Sequence, residues 1–200
     1  MRHADRPSGV SAAVSARKPI PDLSTIHTVV FDFDGVFTDN KVWVDEHGRE
    51  SVRCDRRDGL GLDLVRAFQS RGTINAEFFI LSKEPNPVVL ARAQKLKLVC
   101  HHGIGDKLSF MRDHLARRFS SSSDSLPGVV YLGNDVNDLP LMRRVGYSVA
   151  PADAHPSVRS TASLVLEERG GEGFVRAFIE RLLSINLLTP EEIDELVSDR

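Results

Sequence analysis

In the stretch Thr28 to Asp39, TVVFDFDGVFTD, Asp32 and Asp34 stand two positions apart at the end of an apolar run, with Gly35 directly behind them. Alternate positions of a strand share a face and lie about 7 Å apart. Two bare carboxylates at that spacing repel by about 2.4 kcal/mol at an effective dielectric near 20, before any cost of desolvation. The pair therefore asks for a cation. Ser82 ends a second apolar run, and Gly133-Asn134-Asp135 ends another, with Asp138 a turn later. Lys107 opens a helical stretch, where a cation meets the positive end of the helix dipole, so a compensating anion is expected beside it. Paired acids that ask for a cation, with a hydroxyl, an ammonium and an Asn-Asp turn in this order, make a constellation that chance capping of turns rarely produces.

Those residues can meet only if the runs that carry them lie side by side. Apolar runs at Val29–Phe33, Phe78–Leu81, Leu98–Cys100, Val129–Leu132, Tyr147–Ala150 and Leu164–Leu166 alternate with helical patterns at Leu60–Ser70, Pro87–Leu96, Lys107–Phe119, Leu139–Val145 and Gly173–Ser184. The alternation predicts an α/β fold, a doubly wound and mainly parallel sheet covered on both faces. In such sheets ligands collect beyond the carboxyl ends of the strands, where every anchor above falls. Two segments depart from the alternation. KVWVDEHGRESVRC, residues 41–54, alternates about a Glu-His-Gly turn and reads as a β-hairpin projecting from the sheet. TPEEIDELV begins with Thr189 as N-cap, Pro190 at the first helical position and Glu192 three residues after the cap, which predicts a terminal helix.

The rest of the chain narrows the function classes. At 200 residues it suits one domain with a real core. A net charge of -2, with both signs interspersed, offers no field for nucleic acid or anionic lipid. No apolar run approaches the length of a membrane span and the N-terminus lacks the apolar core of a secretory signal, so the expected location is cytoplasmic. Cys54 and Cys100 lie far apart without metal-ligand spacing and read as free thiols. Residues 1–24 mix Arg, Ser, Ala and Pro without periodicity and read as a disordered arm. The folded domain is expected over 25–186, followed by a helical tail over 187–200. SSSSDSLPG from Ser120 reads as a flexible connection.

The order and types of these residues match the haloacid dehalogenase superfamily. FDFDGVFTD resembles its first motif, Ser82 its second, Lys107 its third and GNDVND its fourth, over about Ile26 to Leu183. RDGLG at Arg57–Gly61, LSKEPNPVVLARAQKL at Leu81–Leu96, APADAHP at Ala150–Pro156 and GGEG at Gly170–Gly173 are similar to a small capless branch. That branch holds 3-deoxy-D-manno-octulosonate 8-phosphate phosphatases, sialic-acid-type 9-phosphate phosphatases and the phosphatase-like domain of some CMP-sialic acid synthetases. LSKEPNPVV favours the sialic-acid-type side.

The resemblance implies a phosphomonoesterase with Asp32 as nucleophile and Asp34 as proton donor and then base. It implies Mg²⁺ held by Asp32, the Asp34 main-chain carbonyl and the fourth motif. It gives Ser82 a phosphoryl oxygen and Lys107 the charge of the transferring group. Many relatives have Gly-Asp-Asp where this chain has Gly133-Asn134-Asp135, so either Asn134 ligates through its amide oxygen or Asp135 replaces it. The short intervals Asp34–Ser82 and Ser82–Lys107 leave no room for a separate cap domain. The branch implies instead a homotetramer in which the hairpin assembles the subunits and a neighbour covers the site, with Trp43 a contact candidate. It also implies substrate-binding roles for Arg57, Glu84 and Lys95, against the plainer reading of charged residues on solvated surfaces. His101-His102 carries little metal-ligating signal, and His155 before Pro156 reads as a turn. A second functional class, a catalytically weak assembly module, is motivated by Asn134 and by the synthetase fusions.

Overall fold

The structure is a computed structural model that describes residues 18–119 and 125–198. The expected arm over 1–24 falls mostly, and the connection after Ser120 partly, outside the described residues. Packing nevertheless reaches back to Lys18. Its N–H donates to the Ser163 carbonyl and its own carbonyl accepts from the Tyr147 hydroxyl at 3.1 Å, while Ile20 and Leu23 lie against the core. These isolated apolar residues in a Pro-rich stretch carry no periodicity that could have announced them.

Six parallel strands form one sheet: β1 (Thr28–Phe31), β4 (Glu77–Leu81), β5 (Val99–His101), β6 (Val129–Leu132), β7 (Tyr147–Ala150) and β8 (Leu164–Val165). Their order is β5-β4-β1-β6-β7-β8, so β1 is central, between β4 and β6. Side chains alternate between two apolar layers, as the pleat requires. Val29, Phe31, Ile80, Val130 and Leu132 enter one layer with helices α1 (Arg57–Ser70), α2 (Val88–Leu96) and α6 (Phe174–Leu182). Val30, Phe79, Leu81, Val129 and Tyr131 enter the other with α3 (Lys107–Phe119), α4 (Leu139–Met142) and α5 (Pro156–Thr161). Each such side chain contributes about 1.5–3 kcal/mol by leaving water. The doubly wound α/β expectation holds.

The hairpin is β2 (Thr38–Val44) paired antiparallel with β3 (Glu50–Cys54), with an irregular register between Thr38 and Val42. The Asp45 carboxylate accepts from the His47 and Arg49 amides and holds its turn. The terminal helix α7 (Pro190–Ser198) has the expected capping box: the Thr189 hydroxyl accepts from the Glu192 amide, and the Glu192 carboxylate from the Thr189 amide at 2.7 Å. No helix among the described residues is long and apolar enough to cross a membrane.

Two local expectations change. Strand β1 stops at Phe31, not Phe33, so Asp32 and Asp34 are not two positions of one strand face. Instead the chain wraps around the Phe33 carbonyl, which accepts from the amides of Val36, Phe37 and Thr38. Gly35 allows the wrap with a φ of 73°. Secondly, α5 stands where a turn was expected. Its sole buried residue is Val158, too few for a visible period, and His155 caps it by accepting from the Ser157 amide at 3.2 Å.

Candidate active site

Because β4, β1 and β6 are neighbours, Ser82, Asp32 and Gly133-Asn134 leave the same sheet edge side by side. They open onto a cleft of about 250 Å³ lined by Asp32, Asp34, Asn40, Ser82, Lys83, Glu84, Pro85, Asn134, Asp135 and Asn137.

Asp32 is buried, and its Oδ1 accepts both from the Phe33 amide at 2.8 Å and from Lys107 Nζ at 2.7 Å. Lys107 is itself buried and donates further to Asp138 Oδ1 at 2.7 Å and the Tyr131 hydroxyl at 3.0 Å. The anion expected at this helix start is therefore a pair of carboxylates. Asp138 is fully buried and binds on both oxygens. Oδ1 accepts from the Tyr131 hydroxyl at 2.6 Å, and Oδ2 from the amides of Asn134 at 2.9 Å and Asp135 at 3.2 Å. One side chain thus fixes both the lysine and the Gly-Asn-Asp turn. Gly133 makes room for it, since a Cβ there would fall 2.6 Å from Asp138 Oδ2. Burial above all, then Asp138, raises the Asp32 carboxyl to about 7, against the lowering effect of Lys107. A further cation returns it to the carboxylate form.

Asp34 sits over the cleft, with its carboxyl raised to about 6 by burial and then by the Glu84 charge; Lys107 and a hydrogen bond with Thr38 oppose the shift. The buried Thr38 hydroxyl also accepts from the amides of Gly35 and Asn40, each at 3.1 Å, and so ties the wrapped turn to the hairpin. Ser82 is buried at the cleft floor, its amide donating to the His101 carbonyl at 2.8 Å and its hydroxyl accepting from the Glu84 amide at 3.0 Å.

The donor set suits a hard cation. Asn134 packs its amide on Gly35, where an added Cβ would fall 1.9 Å from Nδ2, so it faces the turn that carries Asp32 and Asp34. Asp135 lines the cleft too, but its Oδ1 accepts from the Val136 amide at 2.7 Å and caps the following 3₁₀ turn. Among the described residues no group of three His, Cys, Asp or Glu side chains could hold a metal. A cation bound here would have the Asn134 amide oxygen and main-chain oxygens to draw on besides Asp32, which would be oxygen ligation of the Mg²⁺ kind.

Not every residue singled out in the sequence reaches the cleft. Asp32, Asp34, Ser82, Glu84, Asn134 and Asp135 line it, and Lys107 lies beneath Asp32. Arg57 does not: it is exposed, pairs with Asp55 at 2.6 Å, donates to the Glu172 carbonyl at 2.8 Å, and borders a separate groove. Lys95 is exposed in the last turn of α2. Conversely, Lys83, Asn40, Asn137, Tyr131 and Asp138 carry no individual role in the expectations from sequence. Lys83 follows Ser82 directly, so the rule that residues after each apolar run are informative could have found it. Tyr131 sits inside a strand and gave no signal.

The family model described as haloacid dehalogenase-like hydrolase matches residues 114–178. Over 181 residues the chain is 32% identical to the 3-deoxy-D-manno-octulosonate 8-phosphate phosphatase KdsC of Salmonella typhimurium, covering 88% of this chain and 91% of that one. The chain belongs to the haloacid dehalogenase-like hydrolases. Its place is in their capless sugar-acid phosphatase branch, and it is a phosphatase. Among solved structures, the phosphatase resembles a protein assigned to the HAD hydrolase family from Streptomyces avermitilis, at 39% identity and a TM-score of 0.73 over 88% of this chain and 97% of that one. It also resembles the cobalt-bound deoxy-D-mannose-octulosonate 8-phosphate phosphatase of Haemophilus influenzae, at 27% identity and a TM-score of 0.69 over 82% and 91%.

Proposed function

We propose that this phosphatase is a Mg²⁺-dependent phosphomonoesterase that hydrolyses a phosphorylated α-keto sugar acid, with 3-deoxy-D-manno-octulosonate 8-phosphate as the first substrate. The observation that carries the chemistry is the buried Lys107 held on Asp32 Oδ1, with Asp34 lining the same cleft in a setting that raises its carboxyl to about 6. Asp32 attacks phosphorus and becomes an aspartyl phosphate, while the P–O bond to the sugar breaks. The departing sugar oxygen takes its proton from Asp34, whose raised value suits donation near neutrality. Water then attacks phosphorus, giving its proton back to Asp34, and Asp32 is released with inorganic phosphate. Ser82 donates to a phosphoryl oxygen throughout, and the Lys107 ammonium offsets charge as it spreads over the transferring group. The residues that would hold Mg²⁺ are Asp32, the Asp34 main-chain carbonyl and Asn134, with Asp135 capping the turn beside them. The ion supplies neutralisation of the phosphate oxygens and their alignment for in-line attack.

The substrate follows from the relatives named above, two of which are phosphatases of this sugar acid. A nine-carbon acylneuraminate 9-phosphate is the second reading, favoured by the Leu81–Val89 segment, whose Lys83, Glu84 and Pro85 line the cleft. The working unit is a homotetramer joined through the hairpin, where Val42, Trp43 and Val44 are 52%, 61% and 59% exposed. Only across such an interface do Arg57 or Lys95 meet a substrate.

The test is a phosphate-release screen of both sugar-acid phosphates with Mg²⁺ and with excess chelator. Release from at least one, lost on chelation and restored by Mg²⁺, is expected. No release from any sugar-acid phosphate, by a protein that still assembles, would leave the assembly-module reading in its place.

A further inference from the structure

We propose that Lys83 pairs with the carboxylate of the substrate and so sets its selection for sugar acids over neutral phosphate esters. The inference rests on the sugar-acid reading above. Among the side chains lining the cleft, Asp32, Asp34, Glu84 and Asp135 are acidic and Lys83 is the basic one. Lys107 is spent beneath Asp32 and Asp138, and Arg57 and Lys95 lie elsewhere on the chain. A substrate carboxylate entering this cleft meets the charges of Glu84 and Asp135, and away from the phosphoryl end Lys83 is the one cation on this protomer's lining that offsets them.

The lysine is built for the task. Its backbone is pinned on both sides: Ser82 donates to the His101 carbonyl at 2.8 Å and accepts from the Ile104 amide at 3.0 Å, while the Glu84 carbonyl accepts from the Gly103 amide at 3.2 Å. Ser82 is buried at the phosphoryl end and the next side chain is exposed at the mouth, as expected where a strand ends. An ammonium on a four-carbon stem anchored one residue beyond Ser82 reaches farther along the cleft than the hydroxyl can. None of the described carboxylates pairs with it, so it meets a ligand without first breaking an ion pair.

Lys83→Met keeps the stem and removes the charge. The readout is kcat/KM on 3-deoxy-D-manno-octulosonate 8-phosphate divided by kcat/KM on p-nitrophenyl phosphate, which shares the monoester and lacks the carboxylate. We expect this ratio to fall by about tenfold or more, through KM for the sugar acid, and Lys83→Arg to restore most of it. A ratio within about twofold of wild type overturns the proposal, whether both activities drop together or neither does. So does a collapse of the ratio in Arg57→Met and not in Lys83→Met. Wild-type protein that cleaves p-nitrophenyl phosphate but no sugar-acid phosphate removes the substrate reading itself, and this inference with it.

Discussion

Asp138 Oδ1 lies 2.7 Å from Lys107 Nζ, with both side chains withdrawn from water. The contact spans 31 positions of sequence and joins the start of α3 to the turn after β6. Desolvating a lysine opposes its charge, and the two carboxylates more than offset this, holding Lys107 above the usual lysine range. The ammonium form is thus favoured beside Asp32.

Lys107→Met removes the cation from between two buried carboxylates. Loss of one member of a buried ion network costs about 3–5 kcal/mol. We expect phosphate release to drop at least ~1,000-fold, and urea unfolding to show a destabilised protein that is firmer at pH 5 than at pH 8, because protonation relieves the uncompensated acids.

Tyr131→Phe tests the other contact of the same cage. The hydroxyl donates to Asp138 and accepts from Lys107, so its removal leaves the volume filled and both partners short of a bond. About 1–3 kcal/mol of stability should go. If the tyrosine positions the lysine, kcat falls by roughly tenfold with KM within twofold; a purely structural role predicts the stability loss without that split.

Gly170→Ala should damage the site from behind. A Cβ at this position would fall 2.0 Å from the Gly35 carbonyl oxygen, which is backbone and cannot rotate away. The turn carrying Asp34 must shift. Expected are a loss of about 1–3 kcal/mol in unfolding free energy and weaker Mg²⁺ activation of phosphate release, seen as a higher ion concentration at half-maximal rate.

Asp58 predicts a pH dependence of stability. It is fully buried in the first turn of α1, with Oδ1 accepting from the Arg176 amide at 3.1 Å and Oδ2 unpartnered among the described residues. Burial chiefly pushes its carboxyl up to about 7, against about 3.9 in an unfolded chain. The folded state therefore binds the proton more tightly. Its contribution is full below about pH 4 and is lost as pH rises through 7. In Asp58→Asn, the unfolding free energy relative to wild type should move in the variant's favour between pH 5 and pH 8.5 by about 1 kcal/mol or more. A pH-independent difference would contradict the assignment.

Trp43→Ser addresses the assembly. The hairpin exposes Trp43 on one face and Val42 with Val44 on the other, apolar surface of the kind that seeks a partner. If the hairpin joins a homotetramer as proposed, light scattering should show smaller species in the variant than in wild type, with the monomer fold intact by circular dichroism. A tetramer of undiminished stability would place the interface elsewhere.

Most of the scaffold was legible because its signals are local. The apolar runs that become β1, β4 and β6 end where Asp32, Ser82 and Gly133 begin, and the rule that ligands gather at strand ends led directly to the cleft. Thr189 and Glu192 wrote their capping box in adjacent positions. The missed parts lack such signals. Tyr131 looks like any strand aromatic, and its hydroxyl matters only because Lys107 and Asp138 converge on it. Helix α5 buries one residue and has no period to read. Arg57 and Lys95 have the right charge for a substrate acid, yet their elements place them outside the cleft that Lys83 enters.

The sequence by itself determined which segments become strands and helices, and that acids, a hydroxyl and an amide would stand at the strand ends, because periodicity and residue type act over a few positions. Only the tertiary structure decided that the Asp-x-Asp turn wraps around Phe33 instead of continuing β1, that Asp138 grips Lys107, and which cation faces the cleft. Those outcomes depend on β6 crossing to lie beside β1 across some hundred residues of chain. Burial energy distributed over the whole core drives that crossing, and no local pattern encodes it.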